Sequence, residues 1–280
     1  MRTRILLVLA VGAACLLTTT TAATGAGPSP GLSFGSVGLA HGNERYVTVP
    51  AGKSTTLEAI KRGGGNVLRF MSIKGAWGIP LVAFDGTTGG LLPDGRTLLL
   101  AQSIYSGQGF RKQTSFMFVD VRKMKRVETI TLKGAFAFDA LSPNGRYMYL
   151  IQYLSIEQPS QYRVRAYDLT TRRLLARIVA DKRSWETSME GMPVTRTEAD
   201  AWSYTLYGAT SARPFIHALD TRHVAAVCID MPWKYQPDKI WNFRLRTDGD
   251  GHLVVRGPRG RALVVVDRQT FRVLSAVRNP

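Results

Sequence analysis

The amino-acid sequence predicts an all-β fold made of repeated four-stranded units, and three observations lead to this prediction. The stretch LSPNGRYMYLIQ at residues 141–152 repeats LLPDGRTLLLAQ at residues 91–102, with Leu, Pro, Gly, Arg, Leu and Gln at the same offsets. A second phrase also recurs, in which a β-rich run ends in Asp before a basic turn. We call this Asp the marker aspartate, and the copies are Asp120, Asp168, Asp220 and Asp267. Beyond the N-terminal segment, no window has the periodicity of an amphipathic helix.

The first 26 residues are predicted to be a secretory signal. Two arginines near the start precede an apolar run at residues 5–17, and small residues follow, with cleavage expected after Ala23 or Ala26. The apolar run is short for a membrane span. The mature chain is therefore expected to be secreted or held in the cell envelope, without a transmembrane span. Two alternatives are a lipid anchor on Cys15, which follows VGAA, and an uncleaved anchor helix.

Residues 27–280 are predicted to form a single globular domain with a strong positive charge. Hydrophobic residues make up 45% of the chain and charged residues 20%, which excludes a disordered protein. Removal of Arg2 and Arg4 leaves +15 of the formal net charge of +17, and such a charge favours anionic partners. The alternative is a basic surface that only contacts solvent. Cys228 is then the one remaining cysteine, so no intrachain disulfide can form. We also expect the protein to be a monomer.

Each repeat divides into four β-like segments separated by turn residues. In the third repeat these segments are 137–141, 146–152, 163–168 and 174–179, and the turn residues are of the Pro-Asn-Gly type. The marker aspartates are spaced by 48, 52 and 47 residues. Four strands in a repeat of this length predict one blade of a β-propeller.

We predict five blades, with six as the alternative. The expected blade ranges are 32–73, 79–132, 136–179, 192–229 and 240–277. The repeats begin and end in phase, so ring closure would depend on contact between the first and the last blade.

The pairing of SPNGRYMYLIQ with YRVRAYDLTTRRLLARIV resembles the YVTN/lactonase-like and WD40-like β-propeller repeats of bacterial secreted proteins. The resemblance is strongest over residues 75–179, weaker over the last two blades and poor over the first. The fourth blade departs most, since TEADAWSYTLYG at residues 197–208 has no Pro-Asp-Gly turn. These motifs imply an architecture and carry no catalytic residues.

The loops of such a fold divide between two faces. The short-turn face holds the turns that join the first strand to the second and the third to the fourth in each blade. The long-loop face holds the remaining connections and nearly all the extra length. Long loops on a rigid scaffold are where binding residues concentrate. The predicted ligand-binding residues of the long-loop face are Arg111, Lys112, Lys182, Arg183, Trp185, Trp233, Lys234 and Tyr235.

Aromatic side chains interleaved with cations suit a sugar ring beside an acidic group. We therefore predict a non-enzymatic protein that binds an anionic polymer, a glycan or a partner protein, and nucleic acid is not expected in this compartment. The alternative for Trp185 and Trp233 is that both fold back over the blade edges as plugs. On the short-turn face, Arg122, Arg172 and Arg222 belong to a partial basic ring, whose alternative interpretation is a set of solvated turns.

The second function hypothesis is a lactonase-like or lyase-like enzyme that uses carboxylates in the central channel. Asp85, Asp139 and Glu198 are its candidate catalytic residues, because they are the acidic residues expected on the innermost strands. Pairing of these carboxylates with Arg196 and Arg244 would argue against an enzyme. No metal site or cofactor is predicted: DGDGH at residues 248–252 occupies a hairpin-turn position, and the four histidines are expected at the surface or at blade edges.

Overall fold

The computed structural model describes residues 29–35, 37–107, 109–155, 161–181, 189–208, 213–234, 237–278 and 280. The predicted signal and Cys15 lie outside these residues. The all-β prediction is confirmed, since the described helices are α1 (Pro237–Ile240) and a 3₁₀ turn (Pro258–Gly260). Among the described residues no helix is both long and apolar enough to cross a membrane.

The strands form five consecutive antiparallel units. Unit one is preceded by β1 (Leu32–Ser33) and consists of β2 (Leu39–His41), β3 (Glu44–Ala51), β4 (Ser54–Lys61) and β5 (Val67–Lys74). Unit two begins with β6 (Ile79–Pro80), which pairs with β1. Its other strands are β7 (Thr97–Ala101), β10 (Gln113–Asp120) and β11 (Lys125–Lys133). The loop between β7 and β10 contains a small hairpin of β8 (Tyr105–Ser106) and β9 (Gly109–Phe110).

The last three units are regular four-stranded meanders. Unit three has β12 (Ala135–Leu141), β13 (Tyr147–Tyr153), β14 (Gln161–Asp168) and β15 (Arg173–Val179), and β16 (Met189–Glu190) adds to the edge of β14. Unit four has β17 (Met192–Ala199), β18 (Trp202–Gly208), β19 (Phe215–Asp220) and β20 (Ala225–Asp230). Unit five has β21 (Arg244–Thr247), β22 (His252–Arg256), β23 (Ala262–Asp267) and β24 (Val273–Ala276).

The marker aspartates close the turn between the third and fourth strands. Asp120 accepts hydrogen bonds from the backbone N–H groups of Arg122 and Lys123 at 3.0 and 2.9 Å through the same carboxylate oxygen, Oδ1. The fourth residue after the aspartate then adopts a left-handed backbone, with φ of 47° at Met124 and 56° at Arg172. A side-chain acceptor satisfies the N–H groups that such a tight turn leaves free, which explains why the repeat keeps Asp at this position.

The arginine of the repeated phrase holds the two turns of a unit together. Arg96 Nε lies 2.9 Å from Asp120 Oδ2, and Arg146 Nη2 lies 2.9 Å from Asp168 Oδ2. The second carboxylate oxygen of Asp120 and that of Asp168 are thus used for a charged bond to the neighbouring turn. We call this contact the arginine clamp, and it gives the repeated phrase its structural purpose.

Four hydrophobic cores join the units in series. Each core contains buried side chains from two consecutive units: one and two, two and three, three and four, or four and five. A sheet that packs on both faces needs apolar residues on both, and Leu98, Leu99 and Leu100 of β7 are all fully buried. This explains why the predicted strands alternate only partly. Among the described residues, no core cluster joins unit five to unit one.

The first strand of unit two is interrupted, and residues 82–85 run instead toward unit four. Phe84 and Asp85 donate backbone hydrogen bonds to the carbonyls of Pro193 and Val194 at 2.9 and 3.1 Å. The pairing of β17 with β18 shifts register between Pro193 and Thr195, so Val194 is a bulged residue. A bulge leaves a residue outside the ladder, which frees the Val194 carbonyl for this contact.

Candidate functional site

A buried ion pair lies between the first strands of units three and four. Arg196 Nη1 on β17 is 2.7 Å from Asp139 Oδ1 on β12, and the Arg196 side chain is 1% exposed. Asp139 lies where the β12–β13 pairing shifts register, so its side chain is placed by a bulge. Burial, the largest influence, lowers the pKa of Arg196, but attraction to Asp139 and Glu198 more than offsets this. The net pKa is raised, and the guanidinium stays charged.

Of the other two candidate catalytic carboxylates, Glu198 approaches the same Arg196, whereas Asp85 caps a turn. Glu198 is 67% exposed, with Oε1 3.6 Å from Arg196 Nε and 3.3 Å from Ser203 Oγ. Asp85 accepts hydrogen bonds from the backbone N–H and the hydroxyl of Thr87 at 3.0 and 2.6 Å, so it caps a turn. The three carboxylates therefore do not form a free acid–base set, and the pairing with Arg196 is the arrangement that argues against an enzyme.

Aromatic side chains and a histidine surround the Asp139–Arg196 pair. A cavity of about 10 Å³, lined by Asp139, Tyr162 and Tyr207 among others, has room for about one water molecule. Among the described residues, His217 Nε2 and Arg196 Nη2 have no hydrogen-bond partner. Burial lowers the pKa of His217 to about 4, so the imidazole is neutral at neutral pH.

The burial of His217 corrects the expectation that it lies at the surface or at a blade edge. His217 stands between Ile216 and Ala218 in β19, and all three side chains are buried. Both faces of this strand are covered by other units, so alternation in the sequence could not show which neighbours it would meet.

Trp233 is not part of a ligand-binding surface, and its predicted role there is corrected. Its side chain is 4% exposed and packs edge-to-face on Phe243, with ring centroids 6.2 Å apart, inside the core of units four and five. The plug alternative therefore describes Trp233. A Trp233→Ala change would open this core rather than test ligand binding.

The remaining predicted binding residues divide between described and undescribed parts of the chain. Lys112 and Lys234 are exposed, whereas Arg111 is half-buried and donates from Nε to the carbonyl of Ser103 at 2.9 Å. The others lie outside the described residues: Lys182, Arg183, Trp185 and Tyr235. The structure thus leaves three described cations of the predicted set near the long-loop face.

The charged side chains are distributed unevenly between the two faces. Many carboxylates of the described residues lie at the short-turn face, where they cap turns or pair with cations, as Asp168, Asp220 and Asp248 do. Asp181, Glu190 and Asp230 lie at the long-loop ends of their strands and have interactions of their own. The exposed cations along the long-loop face among the described residues are Lys53, Lys74, Lys112, Lys133, Arg213, Lys234, Lys239, Arg244, Arg259, Arg261 and Arg278. The ion pairs between described residues use none of these cations.

The short-turn face carries cations as well, but carboxylates interrupt them. Arg172 pairs with Glu128 at 2.9 Å, and Arg268 pairs with Asp200. Arg222 stands beside the marker aspartate Asp220 in its turn. The predicted basic ring is therefore mixed in charge, because carboxylates stand between its cations.

The possible metal ligands of the DGDGH turn are held by the turn itself. Ligand atoms of Asp248, Asp250 and His252 lie within 4.8 Å of one another. Asp248 accepts the backbone N–H groups of Asp250 and His252 through Oδ1 at 3.0 and 2.8 Å, and its Oδ2 lies 3.1 Å from His252 Nδ1. These bonds make the segment a capped hairpin turn, as predicted.

No family model matches the sequence, and no curated protein matches it. Among solved structures, the chain is similar to a functionally unknown protein from Desulfotomaculum acetoxidans DSM 771, with a TM-score of 0.51, 12% identity, and coverage of 89% of this chain and 69% of that one. Hydrazine synthase from Kuenenia stuttgartiensis matches with a TM-score of 0.50, 12% identity, and coverage of 91% and 68%.

A third solved structure is described as the Dos1 propeller, with a TM-score of 0.49, 12% identity, and coverage of 81% of this chain and 55% of that one. The chain thus spans about half the length of that structure. Structural similarity at 12% sequence identity is evidence about the fold and not about the function. The fold is of β-propeller type on the evidence of its own sheets, since the described strands form consecutive antiparallel units.

Proposed function

We propose that this protein is a non-enzymatic binding scaffold, located outside the cytoplasm, that binds an anionic polymer through its long-loop face. One observation carries the proposal: carboxylates are used as turn caps and clamps at the short-turn face, so the exposed cations of the opposite face have no ion-pair partner among the described residues. Cations spread over one surface attract a polyanion. When the polyanion binds, its condensed counterions are released, and this release favours the complex.

The five units are proposed to be the blades of a five-bladed propeller of YVTN-like or WD40-like type, closed by contact between units one and five. The repeated Asp turn and the arginine clamp support this interpretation, because they mark equivalent positions in successive units. The predicted signal supports the location. The lactonase-like or lyase-like alternative is not favoured, since Asp139 is paired with Arg196 and Asp85 caps a turn.

Charge reversal on the long-loop face is expected to weaken polyanion binding by about tenfold or more at low salt. The test variant carries Lys53→Glu, Lys112→Glu and Lys234→Glu, all at exposed positions. Binding of residues 27–280 to polyglycerol phosphate and to dextran sulfate would be measured by calorimetry at low and moderate salt. Binding should fall as salt rises, because salt screens exposed charges.

The matched control reverses three exposed cations on the other face, with Lys123→Glu, Lys125→Glu and Arg126→Glu. The net charge changes equally in both variants, so a difference between them reports the face that binds. Equal weakening in both variants, or no salt-sensitive binding of either polymer, would contradict the proposal. Retention of a protein from the native envelope by the unaltered chain, without polymer binding, would replace the polymer by a partner protein.

A further inference from the structure

The short-turn face has a feature in unit four that the repeat pattern does not predict. In units two and three the residue before the second strand is Arg96 or Arg146, which forms the arginine clamp. In unit four this position is Ala201, immediately before β18. The second oxygen of Asp220 is then taken by His223 Nδ1 at 2.8 Å instead. With Ala201 here and Gly251 at the same position of unit five, no arginine side chain fills the space between the turns of units four and five.

That space is a cavity of about 440 Å³ at the short-turn face. Its lining includes Ala201, Trp202, Tyr204, Asp220, Arg268 and Phe271. The volume falls within the range of ordinary ligand sites. The cavity lies on the face opposite to the basic surface of the proposed function and shares none of its residues.

Trp202 and Phe271 form an apolar wall in this cavity, and the Tyr204 ring, which is 1% exposed, packs behind Trp202. The Trp202 and Tyr204 rings are within 15° of parallel with centroids 6.1 Å apart, as expected for side chains two residues apart on one strand face. Phe271 packs on Trp202 from unit five at 5.1 Å. Phe271 occupies the left-handed position of its turn, with φ of 57°. The turn backbone therefore determines the direction in which the Phe271 side chain leaves the chain.

The charged groups that line the cavity nearly balance, with Asp200 and Asp220 against Arg222 and Arg268. Arg268 is ion-paired with Asp200 and lies over the Tyr204 ring, with Cζ 5.8 Å from the centroid. His223 is bonded to Asp220. Asp200 is 79% exposed, so an anionic ligand entering here would meet a carboxylate. Hydroxyl groups, which both donate and accept, suit such a mixed edge better than a phosphate or a carboxylate does.

We propose that this cavity binds a neutral pyranose unit of a glycan. A pyranose ring combines an apolar C–H face with a rim of hydroxyl groups, which matches an aromatic wall beside paired carboxylates and donors. Trp202 and Phe271 contact the C–H face, and Asp200, Arg268 and His223 bind the hydroxyl groups. The protein would then hold a neutral sugar on one face and an anionic polymer on the other.

The test uses neutral trisaccharides of glucose, mannose and N-acetylglucosamine as probes, titrated into residues 27–280 by calorimetry and tryptophan fluorescence. At least one probe is expected to bind saturably, with little dependence on salt. Ala201→Arg should rebuild the clamp with Asp220, fill the cavity and weaken that binding by about tenfold or more. Thr171→Arg adds the same charge to an exposed turn of unit three and should leave binding unchanged.

Phe271→Gly provides a second test that does not depend on Ala201→Arg folding. Glycine accepts a φ of 57° without strain, so this variant should stay folded while it loses one aromatic wall and the sugar affinity. Absence of saturable binding by all three probes would overturn the proposal. Binding that survives both variants, or capture of a charged glycan or a proline-rich peptide in place of the neutral sugars, would overturn it as well.

Discussion

Replacing Arg196 with Met is expected to lower the free energy of unfolding by about 3 to 5 kcal/mol. The change leaves the carboxylate of Asp139 buried without its partner, and the cost of an uncompensated buried charge is what makes the effect large. Chemical denaturation of residues 27–280 at neutral pH measures it. The matched control is Arg146→Met, which removes a clamp arginine that is 49% exposed and should cost less than about 1 kcal/mol.

A double variant separates the charge effect from lost packing. Arg196→Met combined with Asp139→Leu removes both charges, and it should recover much of the stability that Arg196→Met loses, because a buried ion pair can be replaced by apolar groups at small cost. An Arg196→Met protein as stable as the unaltered chain would contradict the assignment of this pair as buried. A double variant no more stable than the single one would mean that packing, and not the unpaired charge, dominates.

Acidification from pH 7 to pH 4 is expected to cost the folded protein about 3 kcal/mol through His217 alone. The folded-state pKa is about 4, below the ordinary value of 6.5, because burial disfavours the imidazolium. The unfolded chain therefore binds a proton first as pH falls below 6.5, and the unfolded state gains stability until His217 protonates in the folded state near pH 4. Above pH 6.5 this contribution is absent, since both states hold a neutral imidazole.

The measurement is the unfolding free energy at several pH values for the unaltered chain and for His217→Phe. The variant should show a shallower loss between pH 6.5 and pH 4, with the difference growing toward the acid end. The charges of Asp139, Arg196 and Asp181 also influence the pKa of His217. Both proteins in the comparison therefore keep these three residues unchanged. His223→Phe serves as control, since it removes a histidine whose side chain is exposed. Parallel pH curves for the unaltered chain and His217→Phe would refute the prediction.

Carboxylate protonation adds a separate loss at lower pH. The clamp with Arg96 and the backbone bonds of its turn lower the pKa of Asp120 to about 2. A carboxyl with a lowered folded-state pKa stabilises the fold above its unfolded pKa and loses that contribution as pH falls through the folded value. This range lies below the one assigned to His217, so the two effects are distinguishable in one titration.

The parts of the fold that were predictable from the sequence depend on local chemistry. The Pro-Asp-Gly and Pro-Asn-Gly turns and the marker aspartates act within a few residues of their own position, so their copies could be recognised by spacing. The pairing partner of the repeated arginine was not predicted, because it lies on another strand of the same unit. A recurring Arg at a similar distance before the marker Asp was the available signal, 24 residues for Arg96 and 22 for Arg146.

The residues that were mispredicted depend on contacts between units. Trp233 and His217 are buried by side chains from other strands, and both faces of a central sheet are apolar, so no alternation marked them. The Asp139–Arg196 pair needs the bulge in β12, and a one-residue shift reverses the direction of a side chain. Such shifts follow from packing, which the sequence pattern does not display.

The closure of each turn by bonds within its own unit has a consequence for how such a chain can grow. Arg96 bonds Asp120, and Arg146 bonds Asp168, so a tandem duplication of one unit copies a complete set of turn contacts without changes elsewhere. The apolar faces must match the neighbours, and apolar packing tolerates substitutions of similar volume. Ion pairs between units, such as Asp139–Arg196, are the contacts that a duplicated unit must form anew. Duplication of the corresponding gene segment can therefore add one whole unit at a time. A unit without the clamp, such as the one with Ala201, can accept other side chains in the space that the arginine would fill.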